Sequence, residues 1–331
     1  MTATASISTV RDLSAARFAE QAGFTAVDIG ARGGVDAAML PLAWATEMIG
    51  FEPEPAEAAA LQKAPAAPWK SRRIIPAAVG GIDGPATLFI PPSPESASLL
   101  RHNSEMIAWF GVESQHGVGR EVTVETRTLD ALAAEGLLPP ADYVKIDVEG
   151  AEGAILEGGK SFLRDTLAMR IEVAFLEQRI DQPLAWDIGA KLHDAGFLVI
   201  DMIALQRWRH GYAAAHPYRD GSAQPWSHGV LAQGDLICVR DFRRIGDPVA
   251  AARLVLITAS LGYVDFAATI LRHRQALLAP LEAAHGMNLE RDLEALSRLG
   301  GKAAPAAAIK RSLRDLIPLG RSLFGGLPAR S

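Results

Sequence analysis

The stretch FTAVDIGARGG, residues 24–34, decides the fold. Its first six residues form a compact apolar run and the glycines after them form a turn, which predicts a buried strand that leads into a loop. Further strands are predicted at residues 47–51, 72–75, 141–148, 168–174, 197–203 and 235–240. Helical patterns lie between several of them, at residues 56–63, 150–163 and 184–195 among others. This alternation predicts an α/β fold with a mostly parallel sheet covered by helices on both faces.

The composition excludes several classes of protein. The chain has 331 residues, of which 49% are hydrophobic and 21% charged, so it is neither disordered nor collagen-like. A net charge of -5 argues against a nucleic-acid-binding protein, and no nucleic-acid partner is predicted. The single cysteine, Cys238, excludes an intrachain disulfide and a cysteine-based zinc site. No secretory signal pattern is visible at the start, which predicts a cytoplasmic protein.

The chain divides into four predicted segments. Residues 1–23 contain an N-terminal helix, residues 24–245 form the main domain, residues 246–300 form a helical extension and residues 301–331 form a basic tail. The main domain carries an insertion at about residues 81–127, which is rich in Pro, Ser and Gly. Short strands at residues 86–90 and 121–126 and a helix near residues 106–110 are predicted within it. We expect the insertion to lie over one edge of the sheet as a binding loop or lid.

The extension is predicted to be helical at residues 248–271, 275–284 and 289–299. Leu254–Leu271 is the one segment that resembles a membrane span, but Asp265 lies inside it and it is short for a span. A buried helix, or a helix that breaks at Gly262, is the better prediction.

The tail contains six basic residues and one acidic residue, a net charge of +5. On a helix from Ala306 to Ile317, its apolar residues fall on one stripe and its basic residues lie off that stripe. Such a helix could lie on an anionic membrane surface or on the acidic body of the protein itself. Peripheral membrane contact through the tail is therefore a prediction with an open alternative, and the oligomeric state is not predicted.

A nucleoside cofactor site is predicted at the ends of the first two strands. Asp28 closes the first strand, and Gly30, Ala31 and Gly34 belong to the loop that lets a ligand approach the backbone. Glu52, followed by Pro53, closes the next strand, where a carboxylate can accept hydrogen bonds from ribose hydroxyls. The dinucleotide pattern Gly-x-Gly-x-x-Gly is absent, and an acidic residue before the turn suits a cationic ligand. The loop therefore favours S-adenosylmethionine over NAD.

Five blocks of sequence carry a resemblance to a known family. They are VDIGARGG at Val27–Gly34, FEPEP at Phe51–Pro55, TLDAL at Thr128–Leu132, VKIDVEGAE at Val144–Glu152 and LEGG at Leu156–Gly159. In order and spacing they resemble the FkbM family of S-adenosylmethionine-dependent methyltransferases, over roughly residues 24–242. The resemblance implies a class I methyltransferase fold with a seven-stranded sheet whose last strand is antiparallel. It also implies methyl transfer to a hydroxyl, often on a sugar or a polyketide-type product.

The chain departs from the family pattern in the first block, where Arg32 and Gly33 replace the usual Asn and an aliphatic residue. Arg32 is predicted to face solvent or an acidic substrate. Ala78 and Val79, which follow the predicted strand at residues 72–75, complete the predicted set of cofactor-binding residues.

A second acidic cluster lies in the VKIDVEGAE block. Asp147 is predicted at the carboxyl edge of the sheet, where it would act as the general base or accept the substrate hydroxyl, and would also contact the cofactor. Lys145 shares its strand face and is predicted either as a catalytic residue or as an ion-pair partner of Asp147 or Glu172. Glu152 is predicted to act as a helix cap. No metal site is predicted, although a divalent metal held by Asp147 and Glu149 is an alternative.

The acceptor site is predicted from polar and aromatic side chains. The candidates are Glu149, Glu172, Ser98, His102, Trp208 and His228. Trp208 and His228 lie in a segment rich in Trp, Tyr and His, side chains whose rings stack on sugars. The predicted function is therefore O-methylation of a sugar hydroxyl on a glycan or a glycosylated small molecule. An NAD-dependent or nucleotide-sugar oxidoreductase and an inactive scaffold of the same fold are the alternatives.

Overall fold

The structure is a computed structural model that describes residues 11–208 and 229–301. The strands in these residues form a seven-stranded sheet with the order β3-β2-β1-β7-β8-β10-β9 and a small sheet with the order β4-β6-β5. The strands are β1 (Phe24–Ile29), β2 (Thr46–Phe51), β3 (Ser71–Ile75), β4 (Ala78–Val79), β5 (Gly84–Ile90), β6 (Arg120–Arg127), β7 (Tyr143–Ile146), β8 (Ala168–Ala174), β9 (Phe197–Trp208) and β10 (Val230–Arg240).

Neighbouring strands of the main sheet are parallel except at β10, which runs antiparallel to both β8 and β9. This order and direction confirm the predicted α/β fold and the antiparallel last strand. The central strands read as continuous apolar runs because helices cover both faces of a parallel sheet. Every residue of β7 is buried, including the charged Lys145.

Helices flank the sheet on both sides. They are α1 (Ala16–Ala22), α2 (Pro55–Lys63), α3 (Ser104–Phe110), α4 (Glu113–His116), α5 (Leu129–Ala134), α6 (Glu152–Gly158), α7 (Ala185–Asp194), α8 (Pro248–Ser260) and α9 (Val264–His285). Residues 289–301 are also helical. Short polar side chains begin several of these helices: Thr128 accepts a hydrogen bond from the Ala131 amide at the start of α5, and Asp247 accepts two at the start of α8.

The insertion forms most of the small sheet. Its two longer strands, β5 and β6, pair antiparallel where the sequence predicts strands, and β4 joins β6 in parallel. Helices α3 and α4 connect β5 to β6. Leu88 and Leu99 of the insertion line a cleft at the edge of the main sheet, so the insertion covers that edge as expected.

Helix α8 packs directly on the main sheet, and helix α9 packs on α8. Leu254, Val255 and Ile257 of α8 have no exposed surface and share one hydrophobic core with Ala26 and Tyr143. The helix breaks at Gly262, whose φ of +97° suits glycine. Helix α9 then continues to His285, so the prediction of a helix end at residue 271 is wrong. None of the helices within the described residues combines the length and the apolar character that a bilayer crossing needs.

Candidate functional site

A cleft opens where β1, β2 and β7 end. These strands are parallel neighbours, so their last residues, Ile29, Phe51 and Ile146, lie side by side. The cavity between these strand ends and the insertion has a volume of about 220 Å³. The predicted site residues that line it are Gly30, Glu52, Pro53, Ala78, Val79, Lys145, Asp147 and Glu149. Parallel α/β sheets bind ligands outside these strand ends, so this is the candidate functional site.

Gly30 lets the first loop meet the end of β7. Its φ is +91°, and a Cβ atom on it would lie 1.9 Å from the carbonyl oxygen of Asp147. The Asp147 amide donates to the Ile29 carbonyl at 3.0 Å, which holds the two strand ends together. A glycine is therefore required here for the close approach of two backbones, and this approach forms the floor of the cleft.

Glu52 places a buried carboxylate on the cleft wall. Only 2% of the residue is exposed, and its Oε1 accepts a hydrogen bond from the Glu54 amide at 2.9 Å. Burial raises the pKa of Glu52, against the lowering effects of that amide and of Arg32. Arg32 lies 3.6 Å from the same oxygen and pairs more closely with Glu54. Arg32 therefore lines the cleft and does not point away into solvent.

Asp28 lies below the cleft and does not line it. It is 1% exposed, accepts the Asp36 amide at 2.7 Å, and pairs with Lys145 at 3.2 Å. Burial raises the pKa of Asp28 to about 6, although the charge of Lys145 opposes this effect. Asp28, which the sequence predicts to contact the cofactor, therefore does not reach the cleft lining: its register partner on β7 is Lys145, which pairs with its carboxylate.

Ala31 and Gly34, which the sequence also predicts to bind the cofactor, lie outside the cleft lining. Ala31 is fully buried and packs with Ala58 and Ile74 behind the loop. Its amide and that of Gly30 donate to the Phe51 carbonyl, so they tie β1 to β2. Gly34 is exposed, and its amide donates to the Ala31 carbonyl. The loop amides thus shape the site through the backbone.

Lys145 and Asp147 form an ion pair at the centre of the site. Lys145 Nζ lies 3.3 Å from Asp147 Oδ2 and donates to the Gly30 carbonyl at 3.0 Å. Burial opposes its charge, but the carboxylates of Asp28 and Asp147 outweigh burial and raise the pKa of Lys145. The ammonium therefore stays charged and orients Asp147, whose side chain is 34% exposed to the cleft.

Glu149 adopts a backbone conformation that is rare for a non-glycine residue, with a φ of +64°. Its carboxylate pairs with Arg179, which is 1% exposed and also donates to the Ser96 carbonyl at 3.3 Å. Burial raises the pKa of Glu149, and the Arg179 charge opposes this effect. Strained residues of this kind concentrate at functional sites.

Three carboxylates converge beside the cleft. One oxygen each from Asp147, Glu149 and Glu172 lies within 4.8 Å of the other two. Glu172 accepts a hydrogen bond from Gln233 at 2.6 Å, and burial followed by the charges of Glu149 and Asp147 raises its pKa well above the usual range. Among the described residues these are the three that could share a divalent cation, since oxygen ligands suit such ions. Acidic groups often converge without an ion, and here Lys145 and Arg179 already offset part of the charge.

Aromatic side chains join the insertion to the end of β9. The rings of His116 and Phe110 lie 5.4 Å and 5.5 Å from that of Trp208, and His102 lies 6.2 Å from His116. Burial, followed by the charge of Arg179, lowers the pKa of both histidines to about 4. The predicted residues Trp208 and His102 thus belong to one cluster of neutral rings next to Arg179.

The remaining predicted acceptor residues are Ser98 and His228. Ser98 is 1% exposed, pairs with Phe89 through its backbone and accepts the Leu100 amide through its hydroxyl, so its role is to shape the insertion. His228 lies outside the described residues, as does the basic tail from residue 302 onward.

The sequence reasoning missed Arg179, His116 and Gln233. None belongs to a motif, and each reaches the site from a different element. The nearest signal is the composition of the segment after β8, where Gln178, Arg179 and Gln182 are polar but almost fully buried. Buried polar side chains are usually paired, yet burial cannot be read from the sequence of a loop.

Comparisons with known proteins agree with this geometry. Residues 28–199, more than half of the chain, match the family model described as Methyltransferase FkbM domain. No curated protein matches the chain. The match favours methyl transfer over the oxidoreductase alternative.

Solved structures of methyltransferases are distant relatives. A methyltransferase FkbM from Methylobacillus flagellatus KT shares 13% identity over 65% of this chain and 44% of its own, with a TM-score of 0.33. Magnesium protoporphyrin IX methyltransferase from Synechocystis PCC 6803 was solved with bound SAM. It shares 13% sequence identity over 71% of this chain and 79% of its own, with a TM-score of 0.34. The precorrin-6y C5,15-methyltransferase from Geobacter metallireducens GS-15 shares 11% sequence identity over 71% of this chain and 85% of its own, with a TM-score of 0.28.

The chain thus spans less than half of the Methylobacillus protein. The assignment rests on the family model and on the sequence blocks, three of which meet at the cleft through Gly30, Glu52 and Asp147. The protein belongs to the FkbM methyltransferase family.

Proposed function

We propose that the protein is an S-adenosylmethionine-dependent O-methyltransferase that acts on a sugar hydroxyl of a glycan or a glycosylated small molecule. One observation carries the proposal: Glu52 and Asp147 line the same cleft from the ends of β2 and β7, with Gly30, which directly follows β1, between them. The Glu52 carboxylate can accept hydrogen bonds from a ribose. The Asp147 carboxylate can stabilise a cationic centre and accept a hydroxyl proton.

The residues around Glu52 fit an adenosine group. The Glu52 carboxylate is fixed by the Glu54 amide and faces a wall that includes Pro53, Ala78 and Val79. A carboxylate held in this way can accept two hydrogen bonds from ribose hydroxyls, while the apolar wall accommodates a base. Bound S-adenosylmethionine supplies a methyl group on a sulfonium, so no protein nucleophile is needed.

In this mechanism the protein orients the acceptor and removes its proton. Asp147 would accept the proton that the acceptor hydroxyl loses as its oxygen bonds to the methyl carbon and the methyl–sulfur bond breaks, which would leave the neutral thioether S-adenosylhomocysteine. Lys145 holds Asp147 in place from below, since its ammonium is fixed by Asp28 and by the Gly30 carbonyl. Holding the reacting oxygen close and in line supplies most of the remaining rate enhancement.

The acceptor class is inferred from the aromatic cluster. Trp208, His116 and His102 combine ring faces with polar nitrogens, which is the chemistry that stacks on a sugar ring and hydrogen-bonds its hydroxyls. The charge of Arg179 lowers the pKa of His102 and of His116, and Arg179 also pairs with Glu149, which lines the cleft. The cluster therefore adjoins the reactive end of the site.

Calorimetric titration with S-adenosylhomocysteine and NAD in parallel tests the cofactor. We expect binding of S-adenosylhomocysteine alone, and weaker binding by Glu52→Ala. Glu47→Ala is the matched control, because Glu47 lies at the other end of β2. Binding of NAD alone would support an oxidoreductase, and binding of neither ligand would support an inactive scaffold.

The acceptor is tested with S-adenosylmethionine that carries a deuterated methyl group. Mass spectrometry of free sugars, nucleotide sugars and oligosaccharides after incubation should show label on a sugar oxygen. Polysaccharides from a strain that lacks the gene should lose the corresponding methyl ether. Label on nitrogen or carbon, or on aglycones alone, would contradict the proposed acceptor class.

A further inference from the structure

The turn that follows β7 is unusually constrained. It contains Glu149, at a φ of +64°, and Gly150, at a φ of +120°. A Cβ on Gly150 would lie 2.8 Å from Cδ of Arg179, so this side of the turn is filled. The turn begins at Asp147 and ends at helix α6, and both Asp147 and Glu149 line the cleft. Something must hold such a turn in a sparsely populated conformation.

Glu152 provides this restraint. Its Oε1 accepts hydrogen bonds from the amides of Val148, at 3.1 Å, and Gly150, at 3.0 Å. These two amides flank Glu149, and Glu152 itself is 4% exposed. Because its side chain closes a ring around Glu149, the strained residue cannot relax without breaking two hydrogen bonds, one buried and one partly buried.

This contact differs from the predicted helix cap. A capping side chain satisfies amides at the start of its own helix, whereas Val148 and Gly150 both precede Ala151, the residue at the cap of α6. Glu152 therefore stabilises the preceding turn, and the prediction of simple capping is corrected.

The opposite side of the turn is fixed by Arg179. Its guanidinium pairs with the Glu149 carboxylate and reaches the Ser96 carbonyl of the insertion. The side chain of Glu149 and its flanking amides are thus held by two different elements. Asp147, one residue before Val148, is held on its other side by Lys145.

We infer that Glu152 is a positioning residue, which acts through the turn at residues 148–150 to aim Asp147 and Glu149 at the transferred methyl group. The inference rests on the proposed function, because it assigns that end of the cleft to the sulfonium. It predicts that loss of the Glu152 oxygen weakens recognition of a cation at the methyl position and spares the adenosine end at Glu52.

Two cofactor analogues separate these ends. Sinefungin carries an amine where the sulfonium methyl would be, and S-adenosylhomocysteine has no charge there. Calorimetry on the full chain should show that Glu152→Leu lowers sinefungin affinity about tenfold, the effect of misplacing one charge-assisted hydrogen bond, and lowers S-adenosylhomocysteine affinity less than about twofold. Glu152→Gln should bind both analogues almost as the unaltered protein does, because its amide oxygen can accept the same two bonds.

Hydrogen exchange gives a second measurement on the same variants. The peptide that contains Val148 and Gly150 should exchange faster in Glu152→Leu and remain protected in Glu152→Gln. Glu157→Leu, on the exposed face of the same helix, is the matched control and should change neither quantity.

Several outcomes would overturn the inference. They are an equal loss of both analogues in Glu152→Leu, unchanged exchange of the turn, and a Glu152→Gln variant as impaired as Glu152→Leu. If Glu152→Leu does not fold, Glu152→Gln still tests the inference. A selective loss of sinefungin affinity in Glu152→Gln, or faster hydrogen exchange of its turn, would contradict the inference. Failure of the proposed function is distinguishable, because the unaltered protein would then bind neither analogue.

Discussion

The ends of β1 and β2 carry acidic residues that look equivalent and behave differently. Asp28 and Glu52 are neighbouring strand-end carboxylates, 1% and 2% exposed. Asp28 faces Lys145 at 3.2 Å and lies beneath the cleft, whereas Glu52 lines the cleft and has its nearest cation, Arg32, at 3.6 Å. Both carboxylates are almost inaccessible to solvent, but they differ in their charged partners and in their position relative to the cleft.

This comparison separates a structural acid from a binding acid. A buried carboxylate that already has a charged partner at close range has little capacity left for a ligand. Glu52 is fixed by one neutral amide and keeps acceptor capacity toward the cleft. We therefore expect substitutions at Asp28 to change stability and substitutions at Glu52 to change affinity.

The largest expected effect comes from Asp147, the carboxylate that shares Lys145 with Asp28. Asp147→Asn removes the proton acceptor but keeps the shape of the side chain, so turnover on an identified acceptor should fall by roughly 10²–10⁴. Affinity for S-adenosylhomocysteine should change little. Initial rates of methyl transfer measure the effect, with Asp28→Asn as the control. If Asp28→Asn lost as much turnover, Lys145 and not Asp147 would be the group that matters.

Glu52→Ala should lower the affinity for S-adenosylhomocysteine by about 2–4 kcal/mol, because two charge-assisted hydrogen bonds to ribose are lost. Its thermal unfolding should stay close to that of the unaltered protein. Asp28→Asn should show the reverse pattern, with nearly unchanged affinity and a shifted melting temperature. Calorimetry measures the affinity and melting curves measure the stability of both variants. Equal losses of affinity would mean that Asp28 and Glu52 do not differ in their roles in ligand binding.

The pH dependence of unfolding isolates Asp28. Its pKa is about 6 in the folded protein and 3.8 when unperturbed, so between these values the folded state binds more protons than the unfolded state. The free energy of unfolding contributed by Asp28 therefore falls as the pH rises from about 4 to 6, by at most about 3 kcal/mol, and is constant above that range. The neutral side chain of Asp28→Asn removes this slope.

Urea unfolding of both proteins at several pH values measures the difference between them. Histidines such as His102, whose pKa is lowered by burial, contribute the opposite slope in both proteins and cancel in that difference. A difference that stays flat between pH 4 and 6 would show that the Asp28 carboxylate is not destabilised by burial.

The sequence predicts those parts of the site that follow directly from strand ends. The apolar runs of β1 and β8 coincide with the predicted strands, and Glu52 and Asp147 line the cleft because they come directly after a strand. Local pattern suffices here, since the carboxyl ends of parallel strands meet at one edge.

What the sequence could not predict depends on contacts between distant segments. The strand order that places β7 next to β1 is expected, but the pairing of Lys145 with Asp28 depends on the register of these strands, which the sequence does not specify. Arg179 reaches Glu149 from a loop thirty positions later. The helix break at Gly262 is one of the predicted alternatives, but the continuity of α9 depends on its packing against α8, which the sequence of α9 alone does not specify.

Arg32 gives the smallest and sharpest test of the comparison, because it asks whether a cation beside Glu52 acts as Lys145 does beside Asp28. The Arg32 guanidinium is partly exposed and pairs mainly with Glu54, so its interaction with Glu52 at 3.6 Å is worth less than about 1 kcal/mol. Arg32→Asn should therefore raise S-adenosylhomocysteine affinity no more than about fivefold, because ribose no longer competes with the guanidinium for Glu52, and the gain should shrink at high salt. Arg120→Asn is the matched control, since Arg120 also pairs with Glu54 and should leave the affinity unchanged. A tenfold or larger loss of S-adenosylhomocysteine affinity in Arg32→Asn would instead indicate that Arg32 contacts the cofactor directly. The cation beside Glu52 would then bind the ligand, whereas the cation beside Asp28, Lys145, stabilises the folded protein.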